Sequence, residues 1–309
     1  MKKPDVDWHG PWNALVTPFD AKGEIDEANY RRNVELCIGY GLKGLVANGC
    51  TGEFWSQTMV ERKRIMRLAV DVVRGRSVVL GGAGAVRTEE AIELAQAAKD
   101  AGCDGVLMLP PWFVKPTADD IVAHYRMISD AVDIPMMAYN IPSATGYALP
   151  PELVVRLAEI RNVVALKESS QDFNNWYKTF ILCGDRIKVF IGPASKYGVA
   201  ALRLGSPGYV EANANYWGKP AADLYYRTMA GDMDAALDLQ ATGRRLRDVV
   251  DLPGVNIYSS FKAAMNLRGL PGGYPRLPLR PLGASDLERL RRGLDSEGLI
   301  AGARAAVAE

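Results

Sequence analysis

The stretch Asn162-Val163-Val164-Ala165-Leu166-Lys167-Glu168-Ser169 places a lysine at the end of a run of four apolar residues. Such a run between polar residues is typical of a parallel β-strand that is covered on both faces. At the C-terminal end of this strand, the side chain of Lys167 would be partly stripped of water. Burial of this kind disfavours the charged form and lowers the pKa of a lysine.

The consequence of a lowered pKa is a nucleophilic amine. A free lysine has a pKa of ~10.4, so only about 0.04% of it is neutral at pH 7. Lowering that pKa by roughly 3 units costs about 4 kcal/mol of differential solvation, which burial can supply. The neutral amine can attack a carbonyl group and form a Schiff base. The alternative is a lysine whose side chain extends from the strand end into solvent.

Short apolar runs of this kind recur along the chain and alternate with amphipathic segments. We predict eight strands, at residues 14–17, 44–47, 78–81, 105–109, 136–139, 163–167, 188–191 and 208–212. Helices are predicted at 59–73 and 88–101, and further helices begin at Thr117 and at Pro150, with Thr88 as a plausible N-cap. Eight strands that alternate with helices predict an α/β fold, the (β/α)8 TIM barrel. The competing open sheet lacks its nucleotide fingerprint, because Arg87 stands where the third glycine after Gly82 and Gly84 would be.

The last third of the chain has no further strand pattern. Segments 224–245, 257–268 and 286–294 have helical periodicity. We therefore predict a barrel at residues 1–220 and a C-terminal helical region, packed on the barrel, at residues 221–309.

Composition excludes several classes of function. The 309 residues include 37 basic and 36 acidic ones, a net charge of +1 that does not suggest nucleic acid or an anionic membrane as a partner. The four cysteines are scattered without a Cys-x-x-Cys pair, and the two histidines lie far apart. These patterns argue against a disulfide framework, a metal site and a Ser-His-Asp triad. With no long apolar segment, we expect a cytoplasmic protein.

The active site of such a barrel lies at the C-terminal ends of its strands. Gly49-Cys50-Thr51-Gly52 follows the second strand and offers backbone N–H groups and a hydroxyl for a carboxylate, or is an ordinary glycine turn. Tyr139 ends the fifth strand, beside Lys167, and is a candidate for proton transfer or a packing residue. Glu211 in the eighth strand is either a solvated acid or a substrate contact.

Together these motifs resemble the family of dihydrodipicolinate synthase and N-acetylneuraminate lyase, which are class I aldolases. The matching segments, in chain order, are Thr17-Pro18-Phe19, Gly49-Cys50-Thr51-Gly52-Glu53, Tyr139-Asn140-Ile141-Pro142-Ser143-Ala144-Thr145-Gly146, Leu166-Lys167-Glu168, Phe261-Lys262-Ala263-Ala264-Met265 and Gly269-Leu270-Pro271-Gly272-Gly273.

The resemblance implies a lyase that acts on pyruvate or another 2-oxo acid and an aldehyde partner, without metal or cofactor, in a homotetramer built from two dimers. Lys167 would form the Schiff base and Tyr139 would transfer protons. The remaining pocket residues implied by the family are Cys50, Thr51, Phe113, Ala144, Gly192 and Val210.

Three departures from the family bear on the substrate. Ala144 stands where synthase members usually have an arginine that binds the carboxylate of aspartate semialdehyde, Phe113 replaces the tyrosine of the neighbouring subunit, and Cys50 replaces a hydroxyl residue. Tyr139 would then be the only hydroxyl left in the relay. With Trp112, these residues predict an apolar pocket and a substrate outside the lysine pathway, a deoxy sugar acid or a hydrophobic aldehyde adduct. The alternatives are a genuine dihydrodipicolinate synthase and a non-catalytic protein that binds a 2-oxo acid.

Overall fold

The computed structural model describes residues 2–300. Eight parallel strands close into a barrel in the order of the chain, and β1 completes the ring by pairing with β8. The strands are β1 Gly10–Ala14, β2 Gly44–Ala47, β3 Val78–Gly82, β4 Gly105–Met108, β5 Met136–Asn140, β6 Val163–Glu168, β7 Lys188–Ile191 and β8 Gly208–Glu211. The predicted TIM barrel is confirmed.

Helices surround the barrel and continue beyond the last strand. They are α1 Glu27–Gly39, α2 Met59–Val73, α3 Thr88–Asp100, α4 Ala118–Ala131, α5 Pro142–Thr145, α6 Pro151–Leu157, α7 Phe173–Cys183, α8 Ala194–Arg203, α9 Ala214–Trp217, α10 Lys219–Met229, α11 Met233–Val250, α12 Ile257–Leu267 and α13 Ala284–Ser296. Short 3₁₀ turns at Cys50–Gly52 and Phe54–Ser56 follow β2. Among the residues described, no helix has both the length and the apolar character needed to span a bilayer.

The alternation of side chains along the strands divides the apolar core in two. One set, which includes Trp12, Val46, Leu80, Met137 and Phe190, fills the barrel interior. The other set lies between the strands and the helices. The interior is therefore a packed core, and only the C-terminal ends of the strands are left to line a pocket.

The first strand lies earlier than residues 14–17, where we predicted it. Gly10, Pro11 and Asn13 are poor strand formers, so the apolar run that begins at Ala14 dominated the prediction. In the structure Trp12 points into the barrel, with its ring centroid 5.1 Å from that of Phe190. Beyond the strand, the Leu15 amide still donates to the Val46 carbonyl at 3.0 Å.

Two helix predictions also need correction. The residue before α3 that serves as its N-cap is Arg87, and the hydroxyl of Thr88 instead contacts Nδ1 of His124 at 2.9 Å. Residues 224–245 do not form one helix, because Gly231, with φ of 79°, separates α10 from α11. In contrast, Thr117 caps α4 as predicted, in a reciprocal capping box with Asp120.

The C-terminal helices cover one side of the barrel mouth. α11 packs on α8 and α10, and α12 packs on α9 and α13. The proposed division at residue 220 falls inside α10, and residues 301–309 of the predicted C-terminal region lie outside the described residues. The helical region thus continues the barrel wall and supplies side chains to the strand ends.

One glycine of the barrel interior generates a stability prediction. A Cβ atom added to Gly44 would lie 2.0 Å from the ring of Trp12. We expect Gly44→Ala to destabilise the protein by roughly 1–3 kcal/mol, because overpacking displaces the indole from its site. The control is Gly39→Ala near the end of α1, where no atom lies within 4 Å and φ is not in the left-handed range. Urea denaturation should give a lower midpoint for Gly44→Ala alone, and equal midpoints would contradict this packing.

Candidate active site

Lys167 lies near the end of β6 and is only 5% exposed. Burial lowers its pKa to about 8, while Cys50 and Glu211 oppose the shift. At a pKa of about 8, roughly 10% of the amine is neutral at pH 7, a few hundred times more than for a free lysine. The ammonium nitrogen lies 4.1 Å from the centroid of the Tyr139 ring. The side chain therefore faces inward and does not extend into solvent.

Tyr139 stands next to Lys167 because β5 and β6 pair the two residues in register. Its side chain is 4% exposed, and burial raises the pKa of its phenol well above the ordinary value. Cys50 and Tyr258 contribute to this increase, whereas Ser169 lowers the pKa. The phenol therefore stays protonated at neutral pH, and it can donate a proton but is a poor base.

The turn after β2 presents backbone donors to the same space. Cys50 and Thr51 open the 3₁₀ turn, so their amide groups have no partner inside it. Burial raises the pKa of the Cys50 thiol, which favours the protonated form over a reactive thiolate. Backbone N–H groups beside a partly neutral lysine are suited to holding the carboxylate of a 2-oxo acid.

A buried ion pair holds this turn in place. Glu53, in the left-handed region at φ of 56°, pairs with Lys262 of α12, and both side chains are almost fully buried. The ammonium of Lys262 also donates to the Tyr274 carbonyl at 2.8 Å and lies 4.3 Å from the ring centroid of Phe19. These contacts join three of the motifs that the sequence analysis identified, and they attach α12 to the barrel mouth.

A second buried carboxylate fixes the ends of β5 and β6. Glu168 Oε2 accepts hydrogen bonds from the amides of Asn140 at 2.7 Å and Asn175 at 2.8 Å, and Oε1 accepts from the Ser170 backbone at 2.7 Å. Burial raises the pKa of Glu168 despite these donors. The carboxylate lies outside the barrel, so it positions Lys167 and Tyr139 without facing their side of the strands.

A cavity of about 260 Å³ opens at this end of the barrel. Of the predicted site residues, the structure brings five together in its wall: Cys50, Thr51, Tyr139, Lys167 and Val210. The predicted Gly192 is not in the wall but packs behind it, where an added Cβ would lie 2.8 Å from Ser169 Oγ and 2.9 Å from the Val210 carbonyl.

Two other predicted residues lie away from the cavity wall. Phe113 is 91% exposed, on the loop after β4, and Ala144 is exposed in α5, next to Ser143, which does line the cavity. Trp112 packs against Phe54. Phe113 was expected to reach a neighbouring subunit, and of the other three residues behind the expectation of an apolar pocket only Cys50 contributes to the wall. The wall that this chain forms is therefore not the apolar one that we expected.

The wall is instead rich in polar groups. Glu211, which the sequence left as a solvated acid or a substrate contact, is buried in it. The polar residues that the strand-end prediction did not name are Ser143, Ser169, Gln171, Ser195, Lys196, Asn213, Arg244, Arg247, Asp248, Asp251 and Tyr258. Arg244 and Arg247 come from α11, and Tyr258 from α12. The only sequence signal for Tyr258 was its place just before the Phe261-Lys262 motif.

Tyr258 places a second phenol in the cavity wall, where we expected Tyr139 to be the only hydroxyl left in the relay. Its ring centroid lies 4.9 Å from that of Trp55, and burial together with Cys50 raises the pKa of its hydroxyl. The phenols of Tyr139 and Tyr258 both lie close enough to Cys50 to affect the pKa of its thiol. No group of three His, Cys, Asp or Glu side chains within residues 2–300 is arranged to hold a metal ion.

Comparison with known proteins identifies the relatives of this site. The model of the dihydrodipicolinate synthetase family matches residues 7–296. The 4-hydroxy-tetrahydrodipicolinate synthase of Geobacter metallireducens is 36% identical over 277 residues, which cover 90% of this chain and 94% of that protein. An uncharacterized DapA-like lyase of Rhizobium meliloti is 32% identical over 94% of this chain and 96% of that one.

A solved structure has the same fold. The crystal structure of YagE, a prophage protein of the dihydrodipicolinic acid synthase family from Escherichia coli in complex with pyruvate, matches with a TM-score of 0.89 and 28% identity. The match covers 95% of this chain and 100% of that one. Family model, relatives and fold agree: the chain belongs to the dihydrodipicolinate synthetase family and is a Schiff-base lyase of the class I aldolase type.

Proposed function

We propose that the protein is an aldolase or dehydratase that joins or separates pyruvate, or another 2-oxo acid, and an aldehyde other than aspartate semialdehyde. The observation that carries the proposal is the buried Lys167 amine, whose pKa is about 8, beside the phenol of Tyr139. Pyruvate as a substrate is also supported by the relative YagE, whose crystal structure contains pyruvate.

The residues of the site divide the chemistry between them. The Lys167 amine attacks the ketone carbon, and the resulting carbinolamine loses water to give an iminium ion. As the amine attacks, the Tyr139 phenol donates its proton to the ketone oxygen and takes one back from the attacking nitrogen, which gives a neutral carbinolamine. A second proton, which Tyr139 passes on from solvent, leaves with the hydroxyl as water. The backbone of Cys50 and Thr51 holds the carboxylate, and Val210 with the backbone near Gly192 completes the pocket. The iminium withdraws electrons, so a proton or an aldehyde can leave or join at the adjoining carbon.

The case against aspartate semialdehyde rests on Ala144. An alanine supplies no cation for the second carboxylate, and a charge-assisted hydrogen bond contributes roughly 1.5–3 kcal/mol. A genuine 4-hydroxy-tetrahydrodipicolinate synthase remains the second candidate, favoured by the name of the Geobacter relative. Arg244 and Arg247 in the cavity wall are the cations such an enzyme would use here.

A substrate comparison separates the two candidates. With pyruvate and aspartate semialdehyde, we expect kcat/KM to be roughly ten- to a hundredfold below the ~10⁵ M⁻¹s⁻¹ of an ordinary enzyme, because the second carboxylate lacks its partner. Among the aldol adducts of pyruvate with acetaldehyde, glyceraldehyde and benzaldehyde, at least one should release pyruvate faster. Lys167→Arg, which keeps the charge but not the nucleophile, is the control and should abolish both reactions. Efficient turnover of aspartate semialdehyde would support the synthase instead.

The pKa of Lys167 also predicts a pH dependence. The amine attacks only when neutral, so the rate of imine formation with pyruvate should increase about tenfold per pH unit below 8 and level off above it. The rate can be followed as inactivation by pyruvate with cyanoborohydride at each pH. A rate that continues to increase up to pH 10 would mean that the lysine has an ordinary pKa.

We also propose that the protein acts as a homotetramer in the cytoplasm. Phe113 and Val114 expose apolar side chains, 91% and 60% accessible, on a loop beside the barrel mouth, which suits coverage by another subunit. The four cysteines are free and buried, in keeping with a reducing compartment.

The assembly can be tested at Phe113. We expect Phe113→Asp to shift the mass measured by light scattering from a tetramer to smaller species, because a buried charge without a partner is costly. Val60→Asp, at another exposed apolar position on the outside of α2, is the matched control and should leave the mass unchanged. A wild-type monomer, or a tetramer that survives Phe113→Asp, would contradict the proposal.

A further inference from the structure

Glu211 is a buried carboxylate in the cavity that the chemistry described above does not use. It ends β8, is 9% exposed, and lines the same cavity as Lys167. Its Oε2 atom is buried without a hydrogen-bond partner in the described part of the chain. A buried carboxylate oxygen normally has a partner, so a free one that faces a cavity indicates a place for a ligand group.

Two further polar atoms of the cavity wall are also buried without a hydrogen-bond partner in the described part of the chain. They are Ser195 Oγ and Asn213 Nδ2, and both residues line the cavity. With Glu211 they form a group of a hydroxyl, an amide and a carboxylate, which is complementary to a hydroxylated substrate. An aldehyde adduct of a 2-oxo acid carries such a hydroxyl, next to the bond that an aldolase breaks.

The surroundings of Glu211 allow it to exchange protons near neutral pH. Burial raises its pKa to about 7, and Arg247, the backbone N–H groups of Ala194 and Ser195, and Lys167 oppose the shift. The other ionisable groups around it, from β8 and the helices that cover the mouth, are Tyr209, Tyr216, Lys196, Arg244, Asp248 and Asp251. A carboxylate is therefore available at pH 7 as a base, whereas the phenol of Tyr139 is not.

We propose that Glu211 is the base that takes the proton from the hydroxyl group of the aldol adduct during carbon–carbon cleavage. The inference rests on the proposed aldolase activity. As Oε2 accepts the proton, the O–H electron pair forms the aldehyde carbonyl and the carbon–carbon bond breaks. Its electron pair moves toward the iminium nitrogen of Lys167, which becomes a neutral enamine. In condensation, the Glu211 carboxylic acid returns the proton to the new alkoxide, so the residue is restored in either direction.

The role divides the reaction into two parts that can be measured separately. Exchange of the methyl hydrogens of pyruvate with deuterated water needs the iminium and enamine of Lys167 but no aldehyde. Cleavage of an aldol adduct needs the hydroxyl proton to leave as well. A catalytic role of Glu211 at the hydroxyl therefore affects cleavage and leaves exchange almost unchanged, whereas a structural role would affect both.

The test uses Glu211→Gln and the three pyruvate adducts with acetaldehyde, glyceraldehyde and benzaldehyde. For the adduct that the wild type cleaves fastest, we expect kcat to decrease about 10²–10⁴-fold, while pyruvate exchange followed by proton NMR stays within about threefold. Glu211→Ala should show the same loss and recover part of the cleavage rate in added formate, which can occupy the space of the missing carboxylate. Glu211→Gln should not recover, because its amide fills that space.

Three results would overturn the inference. Cleavage by Glu211→Gln within about threefold of wild type would show that the carboxylate is not the base. Equal losses of exchange and cleavage in a folded variant would assign Glu211 a role in forming the Schiff base. A wild type that exchanges pyruvate hydrogens yet cleaves no adduct would remove the aldol step itself. A wild type without exchange, in contrast, would mean that the proposed function has failed.

Discussion

The chemistry of the site depends on the burial of one amine, that of Lys167, away from water. Lys167 stands near the end of a strand that is buried on both faces, inside a ring of strands that leaves no open edge. Burial is the dominant cause of its lowered pKa, and the nearby Cys50 and Glu211 only reduce the shift. A closed barrel therefore supplies what an isolated strand cannot, a site that disfavours the ammonium form while its open end still admits a substrate.

The barrel alone does not complete the site. The buried pair of Glu53 and Lys262 connects the turn after β2 with α12, so the backbone donors at Cys50 and Thr51 are held by a helix far away in sequence. The same helix carries Tyr258 to the cavity, and α11 contributes Arg247. A buried ion pair gains little net stability compared with apolar packing, but breaking one is costly. At this position the ion pair fixes the geometry of the turn at Cys50 and Thr51, and the reaction requires that geometry.

Local patterns were sufficient to predict the barrel and to place Lys167 and Tyr139 side by side at its mouth. The apolar run before Lys167 and the seven runs like it specified the strands, because strand periodicity is a local property. β1 was misplaced because Pro11 and Asn13 are poor strand formers. The strand is stabilised instead by Trp12, which packs across the barrel interior on Phe190. Most of the polar cavity wall was missed because residues such as Arg244, Arg247 and Tyr258 come from helices beyond the last strand and reach it only through tertiary packing. The exposure of Ala144 likewise could not be predicted, since it follows a strand end and only the loop conformation turns it away from the cavity.

The central claim is that a location inside the barrel, and not a lowered pKa alone, makes Lys167 the reactive lysine. Lys3 and Lys262 have pKa values lowered to about 8 as well, yet neither lines the cavity. Incubation with pyruvate and borohydride, followed by peptide mass spectrometry, distinguishes these three residues in one sample. The account predicts a reduced pyruvyl adduct on the peptide of Lys167 and none on the peptides of Lys3 and Lys262. Labelling of all three lysines, or of none of them, would contradict it.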